Sequence, residues 1–257
     1  MSGAALVLRQ LRFTNKAFWR NPAAAFFTFA FPLLFLVIFT TLFGSADIEI
    51  NGNTISVATF YIAGIAAFSV ITACYTNIAM SLTFARDLGI LKRVKGTPLP
   101  GWAYLAARML HAVAIAVLLV IICLVFGILL YDAELPLSSV PAFLITLAVG
   151  AACFAALGMA ITTFVPNADS APAIVNATIL PLLFVSDVFI PLQDPPAWLD
   201  TLGKIFPVRH FSEAMQQVFF PPPGGSAFRL ASLGVLVLWG ALGLLVAVRR
   251  FSWEPRR

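Results

Sequence analysis

Residues 102–131 read WAYLAARMLHAVAIAVLLVIICLVFGILLY, and no charged side chain interrupts the run from Ala112 to Tyr131. A helix rises about 1.5 Å per residue, so about 20 apolar residues match a hydrocarbon core about 30 Å thick. The run is therefore a membrane span. Its basic residue and its histidine, Arg108 and His111, are one helical turn apart near the first end, where Arg108 can snorkel to the interface. Working outward, five more apolar runs stand out, at about 22–44, 59–85, 140–165, 171–190 and 229–248. The chain as a whole is 61% hydrophobic and 11% charged, with a mean hydropathy of +0.96. A soluble domain carries about 25% charged residues. A soluble enzyme and a disordered regulator are thereby excluded, and the expected fold is an all-α polytopic membrane protein of six transmembrane helices in a single domain spanning 1–257.

Charge placement sets the expected topology. Arg9, Arg12, Lys16 and Arg20 precede span 1. Arg86, Lys92, Arg93 and Lys95 separate spans 2 and 3, and Arg249, Arg250, Arg256 and Arg257 follow span 6. The loops after spans 1 and 3 carry Asp47, Glu49, Asp132 and Glu134 and no Lys or Arg. The positive-inside rule puts both termini in the cytoplasm. Lys204, Arg209 and Arg229 fall on the outer side, and Arg108 lies just inside span 3. The net charge of +5 thus records topology and is not read as a nucleic-acid surface. The N-terminus lacks the order of a cleavable signal peptide, so nothing is expected to be removed. Cys74, Cys123 and Cys153 all sit inside apolar stretches, as small apolar packers and not as a disulfide framework or metal site.

Three segments are more than plain spans. In residues 1–21 the four basic residues form a stripe. Val7, Leu8, Leu11, Phe18 and Trp19 gather opposite, with Leu6 and Phe13 as exceptions, as in an interfacial amphipathic helix. A simple topology anchor is the second reading. Residues 86–101, RDLGILKRVKGTPLPG, predict a short helix capped by Asp87, with Leu88, Leu91 and Val94 on one face and a stop at Gly96 and Pro98. Such a rigid amphipathic piece suits docking into a cytoplasmic partner; a basic loop that only sets topology is the alternative. Residues 191–220 predict an outer re-entrant hairpin, its first helix capped by Asp194 with Pro195 in the first turn and ended by Pro207, its second over 210–220. An ordinary amphipathic outer loop remains open. Pro221–Gly225 reads as a hinge into span 6.

Catalytic signatures are missing from the sequence. The nearest approach to a phosphate loop, Gly96-Thr-Pro-Leu-Pro-Gly101-Trp102, has Trp where the phosphate-binding Lys must be. No HExxH or CxxC occurs, and His111 and His210 are expected toward opposite sides of the membrane. A mid-membrane carboxylate, which a proton-coupled carrier needs, is not found.

Three stretches together resemble the membrane subunit of an ABC-2 type transporter, the class of bacterial permeases exporting drugs, lipids or polysaccharides. They are Arg86–Pro100, Leu180-Pro-Leu-Leu-Phe-Val-Ser-Asp-Val-Phe-Ile-Pro191, and Pro196-Ala-Trp-Leu199 through Pro207 and Glu213. The resemblance covers the whole chain, its most specific part being the first stretch. One departure is Asp187, where many members have Gly, which would place a charge at the exit. The resemblance implies a non-catalytic half-transporter of a bacterial plasma membrane, pairing with a second copy or a related permease subunit. ATP and Mg would be bound by separate ATPase subunits, with no cofactor and no metal on this chain and no nucleic-acid partner. It implies that Arg86, Asp87, Leu88, Leu91, Lys92, Arg93 and Lys95 couple to those subunits, with Arg9, Arg12, Lys16 and Arg20 on a connecting helix. Phe27, Phe31, Phe35, Phe39 and Phe43 recur every four residues along span 1. They form either an aromatic wall for flat hydrophobic cargo, on a path that would include Asp187, or lipid-facing and helix-packing bulk. The scarcity of charge along the spans favours hydrophobic or amphipathic cargo over polysaccharide. A membrane-embedded lipid-modifying enzyme using Asp187, His210 and Glu213 is the reading from another class.

Overall fold

The computed structural model describes residues 2–44, 46–50, 53–131, 136–189 and 196–255. Asp132, Glu134, Pro191, Asp194, Pro195, Arg256 and Arg257, on which parts of the topology and hairpin readings rest, lie outside the described residues. The chain is an all-α polytopic membrane protein, with one small hairpin as its only sheet among the described residues.

Local chemistry sets most of the helix starts. Helix α1 (Gly3–Trp19) begins where Ser2 Oγ accepts from the Ala5 N–H at 3.4 Å. Helix α2 (Pro22–Phe43) has Pro at its first position and Asn21 Oδ1 accepting from the Ala24 N–H at 3.2 Å. Strands β1 (Asp47–Ile50) and β2 (Asn53–Ser56) then pair antiparallel, Ile48 opposite Ile55. Ser56 caps α3 (Val57–Ile71), which runs through a π-helical turn (Thr72–Thr76) into α4 (Asn77–Asp87) as one rod of 31 residues. After α5 (Ile90–Lys95) come α6 (Gly101–Tyr131), α7 (Val140–Ile161), α8 (Ala171–Phe184), α9 (Ala197–Ile205), α10 (Pro207–Phe219) and α11 (Leu230–Arg250).

Among the described residues five helices are long and apolar enough to cross a membrane: α2, the α3–α4 rod, α6, α7 and α11. The run at 171–190 behaves differently from the other five. Helix α8 stops at Phe184, after 14 residues or about 21 Å. Asp187 then turns the chain with φ of 53°, and the Val188 carbonyl lies so close to Gly64 that a Cβ there would sit 2.3 Å from its oxygen. The chain bends inward at a glycine instead of continuing outward.

The rod is the centre of the molecule, and α2, α6, α7 and α10 pack around it. Its apolar window is 94% buried, against 17% for α2. Helices α7 and α11 pack along each other, and α7 crosses the π-turn at Gly158, where a Cβ would come within 2.7 Å of the Tyr75 carbonyl oxygen. Small residues permit such approaches in lipid, where van der Waals contact replaces the hydrophobic drive.

Helix α1 corrects the expected amphipathic division. It packs on the first turns of α6 through Leu6, Val7 and Leu11 against Ala103, Ala106 and Ala107. Leu8, Phe13 and Trp19 stay exposed together with Arg9, Arg12, Lys16 and Arg20. The apolar face that the sequence would give to lipid is in part given to protein.

Candidate functional site

Two surfaces and one groove bring the sequence-selected residues together. The first surface is the end of the bundle carrying α5. Arg86, the last basic residue of α4, is only 2% exposed. Its guanidinium donates to the carbonyl oxygens of Thr162 (2.8 Å), Val165 (2.5 Å) and Pro166 (3.2 Å). Asp87 does not cap α5; its Oδ2 accepts from the Ala168 N–H at 2.8 Å. Together they bolt α4 to the loop joining α7 and α8. Gly89, at φ of 70°, lets the chain turn directly into α5.

Leu91 is fully buried and Val94 half-buried, whereas Leu88 is 68% exposed and precedes α5. The three do not share one face as expected, because α4 runs on to Asp87 and leaves α5 only six residues. What stands clear is a knob of Leu88, Ile90, Lys92, Arg93 and Lys95. The C-terminal segment comes to the same end: Lys95 pairs with Glu254 at 3.5 Å, and the Trp253 ring lies 6.3 Å from that of Tyr104. A cleft of about 500 Å³ between α1 and residues 97–99, lined by Leu6, Arg9, Gln10 and Phe13, adjoins it.

The groove, about 560 Å³, lies between α2, the rod and α8. Helix α2 brings Phe27 and Phe31 to it, the rod brings Phe68 and Phe84 together with the uncharged polar side chains of Thr72, Thr76, Asn77 and Ser81, and α8 brings Asn176. The π-turn supplies two of its hydroxyl residues, and such turns recur at functional positions. The phenylalanine row divides. Phe27 and Phe31 line the groove and are 66% and 51% exposed. Phe35 and Phe39 pack inward on Phe189, at 5.4 and 5.8 Å between ring centres, and Phe39 stacks on Tyr61 at 5.3 Å. The drift of a four-residue repeat around the helix carries the row from one environment to the other.

The second surface is at the opposite end. Arg209 of α10 binds Asp200 (2.7 Å), Glu213 (3.1 Å) and Asp187 (3.6 Å), and Glu213 also binds Arg229 (3.0 Å). The Asp187 carbonyl accepts from Gln216 Nε2 at 2.8 Å and Ser212 Oγ at 3.3 Å. Asp187 is therefore a paired charge inside the α9–α10 hairpin, not a charge standing free at an exit. Its left-handed backbone is the conformation glycine adopts without strain, and Asp tolerates it better than most side chains. The Asp200 carboxyl is held below its usual value by the hydrogen bond from Lys204 first, with Arg209 adding to it against partial desolvation. Helix α9 starts at Ala197 after Pro196, and Pro207 opens α10 at its first position, so the second helix begins three residues earlier than expected.

His210 is hydrogen-bonded to the Lys204 carbonyl at 2.9 Å and lies 3.3 Å from Ser232 Oγ. The three cysteines are buried and unpaired with one another. No group of three or more metal-binding side chains occurs among the described residues.

A membrane-spanning helical protein with an uncharged lateral groove, a basic knob at one end and an ion-paired hairpin at the other is the architecture of a permease. The family model for ABC-2 type transporters matches residues 5–220, and the chain belongs to that family. It is similar to the transport permease ycf38 of Porphyra purpurea, 23% identical over 236 residues, covering 91% of this chain and 79% of the relative. It is also similar to the daunorubicin resistance ABC transporter permease protein DrrB1 of Streptomyces coeruleorubidus, at 27% over 199 residues, 75% of this chain and 67% of the relative. A third relative, the multidrug ABC transporter permease YbhR of Escherichia coli, is 24% identical over 183 residues, 70% of this chain and 46% of the relative.

Proposed function

We propose that this permease is the membrane half of an ATP-driven exporter for hydrophobic or amphipathic compounds in a bacterial plasma membrane. It works with separate ATPase subunits that carry ATP and Mg, and with a second copy or a related permease subunit. The observation that carries the reading is the knob of Leu88, Ile90, Lys92, Arg93 and Lys95, which stands free of the core while Arg86 and Asp87 anchor its base. A rigidly mounted, exposed, basic and apolar projection is suited to transmit a push from a partner. Helix α1, with Arg9, Arg12, Lys16 and Arg20 exposed, lies beside it as the connecting helix. That α1, α5 and the segment after α11 gather at one end supports a cytoplasmic placement of both termini.

The groove supports the cargo class. Aromatic faces stack on flat hydrophobic molecules, and the hydroxyl and amide groups among them satisfy the polar edge of an amphiphile without demanding a charge. Relatives named for multidrug and daunorubicin resistance favour the same class. The lipid-modifying enzyme is less well supported: Asp187 and Glu213 are both committed to Arg209, which leaves neither of its two carboxylates unpaired for use with His210. The test is affinity purification of the detergent-solubilised chain. A nucleotide-binding subunit that accompanies it, and is released by Leu88→Asp, supports the exporter. A chain that purifies alone refutes the coupling role of the knob.

A further inference from the structure

Beneath α1, where it meets α6, lies a cavity of about 240 Å³. Its lining includes Asn21, Asn77, Ser81, Arg108 and His111 and holds no acidic residue. Arg108 Nη2 donates to the Tyr104 hydroxyl at 2.9 Å, and the guanidinium carbon sits 5.4 Å from the centre of the same ring. Its Nε is buried with no hydrogen-bond partner. His111 is 7% exposed, its ring edges onto Phe18 at 5.3 Å, and its Nε2 is likewise buried and unpartnered. Each such orphan costs about 1–3 kcal/mol if left dry. The first turn of α2 reaches the cavity through Asn21 and Ala24, adding the positive end of a helix dipole. The guanidinium of Arg108, two unpartnered buried nitrogens and a helix start, in a lining without an acidic residue, suit an anion.

Depth and continuity say which kind. The uncharged run from Ala112 to Tyr131 accounts for about 30 Å of α6, the full hydrocarbon core. Arg108 and His111 therefore lie at headgroup level. Phe18, Asn21, Ala24, Asn77 and Ser81 line both this cavity and the groove, so an anionic head placed here has an apolar trough beside it for its tail.

We propose that the Arg108–His111 cavity binds the phosphate headgroup of an anionic phospholipid, one acyl chain of which lies in the groove between α2 and α8. Arg108 receives a phosphate oxygen through Nε and a free Nη, and the Nε2–H tautomer of His111 donates a second bond. The site needs only the chain's place in a bilayer and stands whether or not the exporter reading holds.

The test is native mass spectrometry of the detergent-purified chain titrated with dioleoylphosphatidylglycerol, with dioleoylglycerol and with inorganic phosphate. Expected is one saturable phosphatidylglycerol adduct, with dioleoylglycerol, which has the same tails and no phosphate, bound at least about tenfold more weakly. Arg108→Gln should weaken the adduct by about tenfold or more and Arg108→Lys by less. Equal binding of the two lipids overturns the proposal on the wild-type chain alone, even if the variants fail to fold. An unchanged affinity in a well-folded Arg108→Gln chain overturns it as well. Inorganic phosphate displacing phosphatidylglycerol at equal concentration overturns the lipid source in favour of a soluble anion.

Discussion

Arg86 and Leu88 are two residues apart, yet they should respond to mutation in opposite ways, and Arg86 gives the sharper test. Arg86→Gln removes the donor to three carbonyl groups in the α7–α8 loop, at 2.8, 2.5 and 3.2 Å. A hydrogen bond to a charged group is worth about 1.5–3 kcal/mol, and three on one guanidinium do not add. The shorter amide can keep at most one, so the loss is about 3 kcal/mol. In a chain of this size that lowers the midpoint of thermal unfolding by about 6–12 °C, read from the detergent-solubilised protein by tryptophan fluorescence. Asp87 supplies the control. Asp87→Asn keeps an oxygen for the Ala168 N–H and should cost under about 1 kcal/mol, while Asp87→Leu buries an unpaired donor and should cost about 1–3 kcal/mol. Should Arg86→Gln melt within about 2 °C of the wild-type chain yet lose its response to the ATPase subunits, Arg86 would be a docking residue and the clamp argument would be wrong.

Three further outcomes follow from the same geometry. Leu88→Asp should uncouple ATPase activity with an unchanged melting temperature, because Leu88 is 68% exposed; Leu91→Asp, at a fully buried position, should destabilise the chain before coupling can be measured, and equal behaviour of the two refutes the division of the knob. Phe31→Ala should impair efflux of aromatic cargo at little cost to the melting temperature, whereas Phe35→Ala, packed between Phe68 and Phe189, should cost about 2 kcal/mol; efflux unaffected by Phe31→Ala removes the aromatic wall. The lowered Asp200 carboxyl makes its folded-state value lie below the unfolded one, so its stabilisation of the hairpin is present at neutral pH. It is lost only as pH falls below about 4, as hydrogen exchange in α9 corrected for its intrinsic pH dependence would show, and a transition near pH 7 would point to a different group.

How much of this was legible in the sequence depends on whether a signal was periodic or tertiary. Apolar runs such as 102–131 announce spans because length and charge exclusion are local properties, and the observed helix begins at Gly101, one residue earlier. The β1–β2 hairpin was legible too: Asn51-Gly52 between short alternating segments is a strong hairpin signal, overlooked when 45–56 is taken as a plain loop. Arg86 was not legible, since nothing in a basic helix end says that one guanidinium turns inward to carbonyls 76 to 80 residues away. Neither was the early end of α8, which depends on how closely Val188 approaches Gly64. Position 187 belongs with these: the sequence shows an acidic residue near the end of an apolar run, and only the fold shows its left-handed backbone, with φ of 53°, and its ion pair with Arg209.

The clamp at Arg86 and Asp87 bears on how a push on α5 would reach the groove. Helix α4 forms one wall of the groove and α8 another. Both are held at the knob's end by the same clamp: α4 carries Arg86 and Asp87, and their acceptors and donor, from Thr162 to Ala168, lie in the loop that leads directly into α8. A displacement of the knob is thus delivered to both walls at once, since separating them would break charge-assisted bonds worth several kcal/mol. Helix α2, the third wall, takes no part in the bonds that hold α4 to the α7–α8 loop and is largely exposed. The relative motion the clamp favours would be α4 and α8 moving together against α2. That motion would change the distance from Asn77 of α4 and Asn176 of α8 to Phe27 and Phe31 of α2. On the proposed exporter function, a lateral groove whose width is set in this way would give a partner's ATP cycle a means of altering contacts with an amphiphile, which is the differential interaction that a change of state requires.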